Sequence, residues 1–250
     1  MFRSFQGALA ATVLAAVLGG CAAPETRAVL ESRGALEPRA HVASVPFFPQ
    51  QRYHCGPAAI AMALAWSGLP VTSDQMAPEV YTPGREGTFA ADLVSVARRY
   101  GRLAVPVGRL SDILTEITAG HPVIVFQNLG LTILPNWHFA VAVGYDLDAA
   151  TISLHSGREA RRVIGLDTFE HTWTRAGSWA LVVLPPGEMP ATGSALTVAR
   201  AAAGLERAGR SAEARHAYQA MLSRWPDDLS GWIGLGNTSY ALGDLASAEA

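Results

Sequence analysis

Between Val45 and Pro186 the apolar positions change their period part-way along the chain. The first half carries helical patterns. Gly56–Trp66 reads as an apolar helix with Pro57 in its first turn, where the missing N–H costs nothing. Thr72-Ser73-Asp74 offers an N-cap to a short second helix. After the Gly-rich TPGREGT loop, a helix from about Phe89 to Tyr100 stops at Gly101. LAVPVG (103–108) is a short strand, and SDILTEITAG a helix with Ser111 as cap and Gly120 as stop. Beyond it come strand-like runs at 122–127, 138–145, 151–156 and 178–185, with DLDAA (146–150) closing a hairpin. Helices first and a mostly antiparallel sheet afterwards predict an α+β class.

The flanks have a different character. Arg3 precedes an uncharged apolar run, Ala8–Leu18, shorter than the ~20 residues that span a bilayer. Leu18-Gly19-Gly20-Cys21 resembles the lipobox of bacterial lipoproteins. The resemblance implies a signal peptide over 1–20, cleavage before Cys21 and lipidation of its thiol. Ala22, rather than Asp, is similar to the pattern sorted to an outer membrane. Residues 21–44 then read as the lipidated Cys and a polar, Arg- and Ala-rich tether. At the other end, LPPGEMPATGS punctuates the chain, and 187–194 reads as a linker. In the helical pattern over 195–250, Gly209 and Gly243 lie 34 residues apart, as do Ala214 and Ala248. Trp232, Leu235 and Gly236, with Ala202, Ala214, Tyr218 and Pro226 before them, resemble tetratricopeptide repeats, the second one incomplete.

Composition narrows the chemistry. A formal charge of −2 over 250 residues gives no reason to expect a nucleic acid partner. No HExxH or CxxC spacing offers a metal site, and no Gly-rich phosphate loop or cofactor motif is present. There are two cysteines; with Cys21 lipidated, Cys55 has no partner for an intramolecular disulfide. It stands where the helix begins, over free backbone N–H groups and the positive end of the dipole, which favour thiolate. A thiol nucleophile needs a base, most often His. His41 and His216 read as solvated, and His171 as packing or surface. His54 is the cysteine's own neighbour, and adjacent side chains around a turn point apart. His121 opens a strand, His155 lies within one, and His138 heads HFAVAVGY.

PQQRYHCGPAAIAMAL, followed by HPVIVFQN, WHFAVAVGYD and ISLHSG, resembles the papain-like peptidases that process bacteriocin leader peptides at double-glycine sites. It is closer still to their transporter-free lipoprotein relatives with tetratricopeptide repeats. The resemblance spans about 45–186. It implies a papain-like cysteine peptidase domain followed by an all-α repeat segment, with Cys55 as nucleophile and His138 as base. A Gln upstream of the cysteine would complete the oxyanion hole; Gln50 is favoured over Gln51, and its amide can bond an oxyanion without titrating. The family orients its His with an Asp. Asp146 is roughly 26 Å of strand away from His138. The next strand has LHSG where the family shows Asp-Pro, leaving Ser156 or His155 for the role.

These expectations describe an envelope-anchored cysteine peptidase facing the periplasm from the outer membrane. Its partners would be a peptide or protein substrate, the membrane through the lipid, and proteins held by the repeats. The same Cys–His pair would serve acyl or peptidyl transfer. A lipoprotein scaffold with a degenerate peptidase domain is the non-catalytic alternative.

Overall fold

A computed structural model describes residues 23–50 and 53–248. The expected signal peptide, Cys21 and Gln51 lie outside the described residues.

The first elements among the described residues are helix α1 (Pro24–Glu31) and strand β1 (Arg39–His41). Helices α2 (Cys55–Trp66), α3 (Ser73–Val80) and α4 (Ala90–Arg99) follow, then β2 (Leu103–Val107), α5 (Leu110–Thr118), β3 (Val123–Asn128), β4 (Trp137–Asp146), β5 (Thr151–Ser156), β6 (Glu159–Gly165), α6 (Leu166–Thr174) and β7 (Ala180–Leu184). Every strand pairing is antiparallel, in the order β2-β7-β3-β4-β5-β6. β4 is long enough to serve two partners on one edge. β3 pairs with it as far as Ala142, and β1 continues from Gly144. Gly144 makes this possible, because a Cβ there would lie 2.9 Å from the Ala40 carbonyl. α2 is apolar all round and packs against β4, with residues 56–64 buried throughout. The fold is α+β with an antiparallel sheet, as the change of period predicts.

The expected elements form within a residue or two of their bounds, and α3 opens on a full Thr72/Gln75 capping box. Ser111 does not cap α5. The first N–H of that helix, on Leu110, donates to the Glu25 carboxylate at 2.5 Å. β6 and α6 were not expected; β6 carries exposed charges without alternation, while α6 buries Phe169 and Trp173.

The stretch expected as a tether is folded from Pro24 onward. Its helix buries only Thr26 and Val29, and a distant carboxylate supplies what local sequence lacks. Glu170 of α6 accepts from the Glu25 and Thr26 N–H groups at 3.0 and 2.6 Å, satisfying α1's open donors. No periodicity reveals such a contact across 145 residues.

The expected linker is likewise held. Glu116 of α5, fully buried, accepts from the Ala191 N–H (3.1 Å), the Thr192 N–H (2.7 Å) and the Thr192 hydroxyl (2.6 Å). His121 lies 2.7 Å from the same carboxylate. Four further helices follow among the described residues: α7 (Ala195–Arg207), α8 (Ser211–Arg224), α9 (Leu229–Ala241) and α10 (Leu245–Ala248). Val198, Ala202 and Leu205 of α7 belong to the same apolar core as the sheet, and α7 packs on β2. The C-terminal helices are therefore docked on the sheet domain.

Burial alone would raise the Glu116 carboxyl. Hydrogen bonds from His121, Thr192 and Ala191 outweigh it and hold the group below its ordinary value. Its stabilising contribution is then complete above the ordinary carboxylate pKa of ~4.3 and lost as pH falls through the lower folded value. Glu116→Ala, which strands several donors, is expected to cost on the order of 3 kcal/mol in urea unfolding at neutral pH. The difference from the parent should shrink in acid.

Candidate active site

The site grows from a place where the sheet comes apart. β5 pairs with β4 from Val141 to Asp146, in a register shifted by a bulge between Ala142 and Gly144. Continued past Val141↔His155, that register would pair Phe139 with Gly157. Instead the Gln50 side chain sits between them. Its Oε1 accepts from the Gly157 N–H at 2.9 Å, and its Nε2 donates to the Phe139 carbonyl at 3.2 Å. The Gln50 N–H also donates to the Gly157 carbonyl, at 2.8 Å. A backbone donor on one side and a backbone acceptor on the other fix which end of the amide is nitrogen. One Nε2–H bonds Phe139, leaving the second to give.

Strand parity places the next two groups. Residues of alternate number share a face, so Ser156 falls on the His138 face, diagonal to it. Its Oγ lies 2.8 Å from His138 Nε2. His155 falls on the opposite face, next to Phe47, where Nδ1 accepts from the Arg161 N–H (3.1 Å) and Nε2 donates to the Val45 carbonyl (3.3 Å). Of the two expected orienting residues, the structure brings only Ser156 to His138. Asp146 is at the far end of β4, accepting from the turn amides of Asp148 and Ala149.

Cys55 is the first residue of α2. Gly56 follows it because Thr88 presses on the helix start; a Cβ at 56 would lie 2.3 Å from the Thr88 hydroxyl oxygen. Gln50, Cys55 and His138 all line one cleft of about 950 Å³, walled by Tyr53, Phe89, Phe126 and Trp137. Trp137 stacks on Phe126, and Phe126 on Phe139, so the wall beside His138 is a column of aromatic rings.

The electrostatics differ from the sequence-based expectation. Burial pushes the Cys55 thiol above its ordinary value, and the N–H groups of Phe139, Gly56 and Cys55 pull it back only in part. Burial, reinforced by the Arg162 guanidinium, pulls the His138 imidazole down to about 4. The helix start does favour thiolate, but desolvation is the larger effect. Both shifts favour the uncharged forms, thiol and imidazole, at neutral pH.

Residues 42–181 match the Peptidase_C39 like family. The chain belongs to this family. No curated protein matches it. A putative C39-like peptidase from Bacillus anthracis is similar in fold, with a TM-score of 0.52 at 19% identity, over 59% of this chain and 98% of that one. Two further structures match with lower TM-scores. One is a double-glycine motif protease from an AMS/PCAT transporter in complex with the leader peptide (0.43, 21% identity, 57% and 93% covered). The other is the peptidase domain of Streptococcus ComA, a bi-functional ABC transporter of a quorum-sensing pathway (0.45, 19%, 56% and 98%). α7–α10 lie outside the residues that match the C39-like family.

Sequence reasoning overlooked the backbone of Phe139 and of Gly157, the pressure of Thr88 on Gly56, and Arg162 beside the imidazole. Backbone groups and cross-strand charges leave no motif.

In this C39-like site a hydroxyl stands at His138 Nε2 where a carboxylate would hold the imidazolium. Ser156→Asp is expected to raise the His138 pKa, read by imidazole NMR titration. Alkylation of Cys55 in the parent should rise only above the ordinary thiol pKa of ~8.5. In Ser156→Asp a second reactive phase should emerge at lower pH.

Proposed function

We propose that the protein is a cysteine peptidase in which Cys55 attacks a peptide carbonyl with His138 as base. The observation that carries this reading is that Cys55, His138 and the clamped Gln50 amide line a single cleft. For His138 to take the thiol proton, Nε2 must carry hydrogen and donate to Ser156, leaving the Nδ1 lone pair to accept. As sulfur attacks, the proton passes from Sγ to Nδ1. The oxyanion meets the second Nε2–H of Gln50 and the N–H at the start of α2. Collapse of the tetrahedral adduct breaks the C–N bond, and His138 returns the proton to the leaving amine. Water then hydrolyses the thioester. General-base transfer of this kind suits a pair that rests neutral, since charge separates only when the carbonyl is in place.

Residues 1–20 and Cys21 are read as a lipoprotein signal and anchor on their lipobox pattern, with the catalytic domain at the envelope, on the periplasmic side of the outer membrane. The 34-residue recurrence supports reading α7–α10 as tetratricopeptide repeats. Gly209 and Gly243 both end helices with positive φ, +72° and +77°. These helices would recruit substrate or protein partners through the exposed face of Trp232, Ile233 and Tyr240. That idea is tested by substitution on this face, because deleting 187–250 would remove Val198 and Leu205 from the peptidase core.

The neutral Ser156 and the lowered imidazole favour a second reading, a scaffold with a degenerate peptidase fold. An unfolded protein such as reduced casein, followed by mass spectrometry, separates the two. The peptidase reading expects cleavage that Cys55→Ala abolishes and that Gln50→Ala reduces by about 10²–10³-fold. It also expects a Cys55 thioester that accumulates on acid quench. Absence of both cleavage and thioester would leave the scaffold, and a product joined to an added amine would indicate transfer. Above pH ~4 His138 is neutral, so its protonation should not limit kcat/KM near neutrality.

A further inference from the structure

The β3–β4 connection, LGLTILPN, and Trp137 after it contain no charged residue. Their side chains are unusually open: Leu131 is 63% exposed, Ile133 90%, Leu134 76% and Trp137 52%. The backbone beneath them is tightly built. Asn128, itself buried, accepts at Oδ1 from the Gly130 and Asn136 N–H groups (3.0 and 2.9 Å), and its Nδ2 donates to the Leu131 carbonyl (3.4 Å). The Leu129 N–H donates to the Asn136 carbonyl and the Leu134 N–H to the Leu131 carbonyl. A Cβ at Gly130 would lie 2.4 Å from the Leu134 carbonyl, so the turn closes on itself. Apolar side chains thus stand outward on a framework that has already satisfied much of its own backbone, as entry into a water-poor phase requires.

We propose that this loop inserts into the surface of a lipid bilayer. Convexity decides between lipid and peptide. A side chain 90% exposed has no walls. A peptide could cover one side of Ile133, whereas acyl chains can surround it. The concave site for a peptide is the neighbouring cleft, which Pro135, Asn136 and Trp137 border.

The position of the first described residue agrees. Ala23, the second residue after Cys21, precedes α1, whose first turn is held by Glu170. Five residues on, Arg175 donates to the carbonyl of Asn128 at the root of the loop. That separation is about 8 Å along a helix. A lipid at Cys21 and the loop would therefore enter the same bilayer, with the cleft mouth beside the headgroups. This alignment rests on the lipoprotein reading above; insertion of the loop does not. Among the described residues no helix is long and apolar enough to cross a membrane.

The test uses the full chain with phosphatidylethanolamine/phosphatidylglycerol vesicles, acyl chains plain or brominated. The quenching lost in Trp137→Phe is the share of Trp137. Insertion expects a clear Trp137 share that Ile133→Asp with Leu134→Asp removes, together with an apparent loss of vesicle affinity of about tenfold or more in chains whose mass shows no lipid. The double variant should keep the parent's Cys55 alkylation profile, showing that it folds. Chains held on vesicles by a lipid on Cys21 but with Trp137 unquenched would overturn the loop proposal and leave the anchor reading intact. Quenching without lipidation would sustain the loop and sink the anchor. No binding at all would defeat both. If the double variant instead raises KM for casein with no quenching by lipid, the patch belongs to substrate and the proposal fails.

Discussion

One carboxamide holds the cleft open. An antiparallel ladder continues by default, because each unpaired N–H and C=O seeks a partner. Between Phe139 and Gly157 the partners offered are the two ends of the Gln50 side chain, which substitutes for a peptide unit between the strands. The strands diverge there without stranding a backbone group. The gap admits the start of α2, bringing Cys55 beneath the edge of β4, where the Phe139 N–H faces the sulfur. Parity along β4 and β5 then sets Ser156 on the imidazole. The residue proposed above to meet an oxyanion is also the wedge between the strands.

This double duty bears on how the C39-like domain tolerates change. Val141, Ala142 and Val143 are buried and fit the sheet by shape, so exchanges of similar volume are absorbed. Gln50 has no such freedom. A carboxylate there would lose the donor to Phe139, and an apolar residue would leave two backbone groups unanswered. Gly144 and Gly56 are fixed for a different reason, the approach of β1 in one case and of Thr88 in the other.

Much of this was legible in the residues, and the boundary follows the range of the interaction. α2, α3 and the β4–β5 hairpin are written locally, in a proline at a helix start, a capping box and a polar turn. Cys55, His138 and Gln50 could be named because a family resemblance carried them. Period two could have chosen Ser156 over His155, had the register of β4 on β5 been known; the bulge near Gly144 hides it. The folded state of 24–31 was invisible for a simpler reason. Its helix is fastened by Glu170, and a contact across 145 residues leaves no trace in composition. β6 was missed because its exposed residues do not alternate. The thiol's protonation escaped too, since sequence displays the helix start but not the depth at which it is buried.

That depth has a bearing on chemical durability. Peroxides and disulfides react with thiolate far faster than with thiol. Cys55 is the sole cysteine among the described residues, and none of them offers a second thiol to resolve a sulfenic acid. On the peptidase reading, a proton kept on sulfur until a carbonyl arrives would withhold the vulnerable form from oxidants that lack the substrate's shape. On that reading, an environment that slows the thiol at rest would also lengthen its working life.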